Sequence, residues 1–175
     1  KLLFNKYLFY YYNGLVINYH VNDKLKAIEV LLEAKTKPEI QQLSFYTVFV
    51  YLNLAVLYFD TSDFKNARTS LAKLKMSESF NKMDEVFRLK VNIVEVITLY
   101  ELEDIDLFDY QINNVKKVFK LLLLYKVYKR ENEFLNIVVE LDKLKGNDLK
   151  NKVSVFNKKY ERTYSSEDDI IDYKE

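Results

Sequence analysis

The chain has 175 residues and a net charge of +1, with two glycines, one proline, one histidine and neither cysteine nor tryptophan. Average usage, about 7% Gly and 5% Pro, would supply roughly 21 such residues. Having only three excludes glycine-rich phosphate loops, which need two or three glycines within about eight residues, and the turn-rich β-sandwiches and barrels.

Without cysteine there is no thiolate nucleophile, disulfide framework or Cys-ligated zinc. His20 alone forms no His-pair metal site and leaves no ring for a triad. The chain therefore reads as all-α and non-enzymatic, with no catalytic, cofactor-binding or metal-ligating residues and no cofactor. With 49% hydrophobic and 30% charged residues it is globular, and long enough to bury a substantial core. The balanced charge argues against a nucleic-acid or membrane partner. No secretory leader is visible, because Asn5 and Lys6 break the apolar start and no small-residue cleavage site follows. A cytoplasmic protein is expected. The chain opens on Lys within an apolar-periodic pattern, as part of a longer protein would.

Helix limits come from polar caps. The first helix is expected over about 2–20, and Asn22 and Asp23 cap a second reaching about 36. Pro38 stops it, since proline disfavours helical geometry in the residue before it. A third helix, about 39–60, carries the apolar run 45–59, which falls short of the ~20 residues that span a bilayer. It reads as a buried core helix. Ser62 and Asp63 cap a fourth, and 77–82 form a connection. A fifth runs from about 84 to 103, and the acidic ELEDID turns the chain into a sixth, about 106–128. The seventh, about 131–145, ends at Gly146 as a left-handed C-cap. Asp148 opens an eighth to about 162, and 163–175 form an acidic tail or a short docked helix.

Shifting the chain by 40 residues aligns Phe9 with Phe49, Tyr11 with Tyr51, Asn13 with Asn53 and Val16 with Val56. Asp23, Ala27, Leu31 and Lys35 then fall on Asp63, Ala67, Leu71 and Lys75. These identities keep helical spacing, which marks an internal repeat. A third copy is fainter: Leu57-Tyr58 meets Leu99-Tyr100 at a shift of 42, and Asp63 meets Asp106 at 43.

Within this repeat, Tyr51, Leu54, Ala55 and Tyr58 on one helix, the turn Ser62-Asp63-Phe64, and Ala67, Leu71 and Leu74 on the next follow an aromatic, Leu-small, Tyr, turn, small pattern. Residues 48–75 resemble a tetratricopeptide repeat. The period of 40 exceeds the usual 34, Ser62 replaces the turn glycine, and the terminal proline is missing. The resemblance implies a right-handed superhelical stack of about four antiparallel helix pairs: 2–36, 39–76, 84–128 and 131–162, in one domain, 1–162. It also implies a scaffold for protein–protein interaction, binding a peptide or partner helix in a concave groove.

The repeated Asn13 and Asn53 are candidate peptide-binding residues, because an amide both donates and accepts. The alternative is a bond to a neighbouring helix or to a buried backbone group. The carboxylate-binding variant of the family uses groove-facing cations, where Leu52 and Val56 stand here. Tyr10, Tyr11 and Tyr51 are candidate partner contacts. Together with Tyr7, Tyr12 and Tyr19 the first two give the opening helix an aromatic surface almost all round. It is expected to be covered by residues upstream, to bind a partner or a second copy at this Tyr-rich N-terminal end instead of in the groove, or to pack in the core. Association of two copies through residues 4–19 is the structural alternative. The basic stretches 116–130 and 143–159 give a weaker nucleic-acid alternative. Asp104 and Asp106 read as a solvated turn, and His20 as a helix-terminal residue.

Overall fold

A computed structural model describes residues 2–140 and 147–160; the expected cap at Gly146 and the acidic tail, 163–175, lie outside them. All regular structure among the described residues is helical. The chain divides into two compact units, Lys1–Met83 with Glu101–Glu103, and Asp84–Tyr100 with Asp104–Glu175.

In the first unit the elements are α1 (Leu2–Asn22), α2 (Lys24–Thr36), α3 (Pro38–Gln41), α4 (Tyr46–Asp60), α5 (Phe64–Lys75) and α6 (Glu78–Asn81). The starts of α2 and α5 lie 40 residues apart, and α3 and α6 match at the same shift at both ends. Side-chain burial follows. Ala27, Val30, Leu31, Ala34 and Ile40 are buried, and so are Ala67, Ser70, Leu71, Leu74 and Phe80, one repeat later. The cap chemistry also repeats: the Asp23 carboxylate accepts from Lys26 N at 3.0 Å and that of Asp63 from Asn66 N at 3.2 Å. Each satisfies a backbone donor that the first helical turn leaves without a partner.

The third expected helix is two helices. Pro38 opens α3 with Lys37 extended before it, and α4 starts only at Tyr46. The carbonyl of Ser44, freed by this break, accepts from the Ser79 hydroxyl at 2.9 Å, which ties the break to the end of the next repeat. Helix α2 packs on α1 and on α4, and α4 packs closely on α5. Ala55 and Ala67 are fully buried there, and their lack of bulk allows that approach. One apolar cluster runs from Tyr12 and Val16 through the buried face of α2 to Phe49, Val50, Leu54 and Leu57.

The second unit holds α7 (Glu85–Glu101), α8 (Ile105–Val118), two single 3₁₀ turns at Leu122–Leu124 and Lys126–Tyr128, α9 (Lys129–Glu140) and α10 (Asn147–Tyr160). The sixth expected helix, to about 128, thus ends at Val118. Tyr125 is extended, and Leu122 and Leu123 turn into a cluster with Leu89, Ile93, Phe108 and Leu135. Phe134 of α9 and Phe156 of α10 bring their rings to 6.2 Å.

The turn into α8 corrects the sequence register of the third copy. Ser62 and Glu103 are the two non-glycine residues with positive φ among those described, at 59° and 56°. After each comes an aspartate whose N–H reaches five residues back, Asp63 to the Tyr58 carbonyl at 2.8 Å and Asp104 to that of Leu99 at 3.2 Å. Both turns form the six-residue closure that ends helices with a left-handed residue. The aspartate then caps the next helix, Asp104 accepting from Leu107 N. The third copy is therefore offset by 41, and Asp104, not Asp106, is the counterpart of Asp63. At this offset the buried Ala67, Ser70, Leu71 and Leu74 fall on the buried Phe108, Gln111, Ile112 and Val115.

Candidate functional site

One side of α1 lies in the core: Asn5, Tyr12 and Val16 are buried, with Leu8, Phe9, Leu15 and Tyr19 packed beside them. The other side is bare. Leu3, Tyr7, Tyr10, Gly14, Ile17 and Val21 recur at spacings of three and four, so they fall on one stripe along the helix. All are exposed, Tyr10 by 68% and Val21 by 83%, and Phe4 and Tyr11 flank them, also exposed. A Cβ placed on Gly14 would meet nothing within 4 Å, so no neighbour uses its missing side chain. Together the seven side chains present on the order of 800 Å² of mostly apolar surface, taking about 150–250 Å² for a whole large side chain. This exceeds the largest patch of about 300–600 Å² on a typical monomer.

The aromatic ring of residues expected around α1 is thus divided. Tyr12 points inward, and its hydroxyl donates to Glu33 Oε1 at 2.7 Å. Burial raises the Tyr12 pKa first, and the Glu33 bond adds to it. The Tyr12 bond, then Lys37, holds the Glu33 carboxyl below the ordinary carboxylate range. Tyr7, Tyr10 and Tyr11 face solvent. Asn13, half-buried, borders the stripe. Asn53 is also half-buried, but its Nδ2 donates to the Phe49 carbonyl, one turn back in α4, at 2.6 Å. Its donor is engaged by its own helix, and its oxygen is the atom left for another partner.

Tyr51 is flanked by side chains of α2, α4 and α5. Lys35 of α2 and Lys73 of α5 each place Nζ 5.7 Å from its ring centre, within reach of a cation–π interaction. The Tyr46 ring stands 6.3 Å away, nearly perpendicular. Burial, then the neighbouring Tyr51, pushes the Tyr46 hydroxyl up to about 12. The structure does not gather the five sequence candidates into one site: Tyr10 and Tyr11 lie on the bare face, Asn13 at its border, and Asn53 and Tyr51 on α4.

His20 lies 3.7 Å from Asp60, which Lys24 approaches at 2.9 Å. Among the described residues no group of three or more His, Asp and Glu is placed to hold a metal ion. In the second unit, Gln111 Nε2 donates to Asn92 Oδ1 at 2.9 Å and to Glu95 Oε2 at 2.6 Å. Asn92 Nδ2 in turn donates to the Arg88 carbonyl. This buried amide chain gave no repeat signal in the sequence.

A cavity of about 400 Å³ opens between α9 and α10, with Ile137, Val155 and Phe156 in its lining. Ion pairs from Lys159 to Glu133 and from Lys152 to Glu140 bridge the two helices beside it. Several cations of the basic stretches have partners here: Lys116 donates to Asn136 Oδ1, Lys129 approaches Glu133 at 3.8 Å, and buried Arg130 lies 3.2 Å from Glu131. No helix among the described residues is long and apolar enough to cross a membrane.

Comparison of the chain with protein-family models, with curated proteins and with solved structures gives no match.

Proposed function

We propose that the chain is a non-enzymatic interaction module of the tetratricopeptide-like kind. In this reading its hairpins stack as a right-handed superhelix, and it binds an amphipathic helix of a protein partner through the bare face of α1. The observation that carries this reading is the exposed stripe of Tyr7, Tyr10, Ile17 and Val21 on a helix whose opposite side is buried. Tyrosine suits such a surface because its ring is apolar and its tip polar. Asn13 at the border would fix the register of the bound helix.

A library of displayed amphipathic helices, selected against the chain, tests this. The expected result is a set of binders whose affinity falls at least about tenfold, or 1.4 kcal/mol, in Tyr10→Glu. Failure to enrich any helix, or binding indifferent to Tyr10→Glu, contradicts it.

A second reading, association of two copies through residues 4–19, draws on the same stripe. Gly14 leaves open space beside Tyr10, so two antiparallel α1 helices would each seat Tyr10 against glycine. Sedimentation at several concentrations separates the two, because only self-association gives a concentration-dependent dimer.

A further inference from the structure

We infer that the bare face of α1 is the seat for the second helix of another hairpin of this same repeat. The inference rests on the interaction-module reading and narrows its partner. The template lies 40 residues along the chain. Leu3, Tyr10, Gly14 and Ile17 on the bare stripe correspond to Leu43, Val50, Leu54 and Leu57, and all four of the latter are buried. Tyr10 is 68% exposed and Val50 is 0% exposed at equivalent positions.

The structure also displays what covers the second set. Helix α2, the second helix of the preceding hairpin, packs on α4, and their apolar side chains join one cluster. The face of α1 is built like that of α4 but has no such helix on it. Its area, on the order of 800 Å², is about what each partner of a stable protein interface buries. An occupant of α2 type would bring small and aliphatic residues spaced as Ala27, Ile28, Leu31 and Ala34 are. It would also bring a cation at the place of Lys35. Lys35 sits over Tyr51, and Tyr51 is the counterpart of exposed Tyr11. The ligand chemistry is thus an amphipathic helix with a small-residue apolar stripe and a lysine or arginine just beyond it.

The test adds a second copy of residues 1–40 directly ahead of Lys1 in the full chain, a junction that repeats the step from Ile40 to Gln41. Amide exchange across 3–21 of the original copy is expected to slow at least about tenfold, as amides there become part of a covered core. A single unfolding transition at higher temperature should accompany it. Tyr10→Glu in the original copy should remove both effects. Unchanged exchange overturns the inference, and so does protection that survives Tyr10→Glu. An added copy that stays unfolded also overturns it, since a seated hairpin is held by the face it covers. A concentration-dependent dimer of the unextended chain, with 3–21 already protected, would assign the seat to a second copy instead and overturn it as well. If displayed helices still bind through Tyr10 while the added repeat fails to protect 3–21, the module reading stands and only the choice of occupant falls.

Discussion

Helices α1 and α4 open two hairpins of one repeat, yet they differ in which side is buried. Their second helices, α2 and α5, bury equivalent positions: Ala27 and Ala67, Leu31 and Leu71, Ala34 and Leu74. On the first helices the same face is bare in α1 and largely buried in α4. The residue choice follows the environment. Where α4 carries Val50, Leu54 and Leu57, α1 carries Tyr10, Gly14 and Ile17. The comparison teaches that the second helices and their turns close each hairpin on itself, while α4 also supplies a surface on which α2 of the other hairpin is laid. A hairpin of this kind buries its apolar surface fully only with a neighbour.

The comparison can be broken most severely at the shared core. Leu31→Ala and Leu71→Ala each remove a fully buried side chain and should each cost about 2–5 kcal/mol in denaturant unfolding. Similar losses would sharpen the equivalence of the two hairpins; a negligible loss at either would break it. The caps come next. Asp23→Ala and Asp63→Ala should each cost about 1 kcal/mol, the usual worth of an N-cap carboxylate. A smaller effect of opposite sign is expected at Gly14, where added bulk meets no atom. Gly14→Ala should stabilise the chain by about 0.5–1 kcal/mol through helix propensity; destabilisation would mean that something already presses on that face.

The last effect, confined to high pH, concerns Tyr46. Its hydroxyl is raised from 10.0 to about 12 by burial and by Tyr51, so the unfolded chain ionises first. The stability this contributes is fully present below pH 10 and is lost as pH rises from 10 towards 12. Ultraviolet titration should find a late-ionising tyrosine that disappears in Tyr46→Phe.

Much of this was legible in the sequence. The 40-residue shift was visible because Asp23 and Asp63, and Ala27 and Ala67, do the same work in both hairpins, and such work restricts the residue type. Pro38 announced its own break. The third copy was misplaced because ELEDID offers several acids, and the left-handed turn residue there is Glu103 rather than a glycine that would have marked it. The break between α3 and α4 was hidden for a similar reason: Gln42 to Phe45 contain no glycine or proline, and the apolar run overlaps them. The leucines from 121 to 124 looked helical, but Leu122 and Leu123 enter the core through a tighter turn.

At the candidate site, sequence located the aromatic helix but not its sides. Tyr10, Tyr11 and Tyr12 are consecutive and chemically alike, and only packing separates the buried one, bonded to Glu33, from the two in solvent. Asn13 and Asn53 stand 40 residues apart in the sequence, while the bond from Asn53 to the Phe49 carbonyl depends on a rotamer that sequence does not reveal.

The most direct measurement is the paired unfolding of Val50→Ala and Tyr10→Ala, the same position one repeat apart. Val50→Ala should lose about 2 kcal/mol or more, as deletions from a sealed core do, while Tyr10→Ala should stay within about 0.5 kcal/mol of the parent chain, as changes at open surfaces do. Equal losses at the two positions would show the face of α1 to be covered already and would contradict the account.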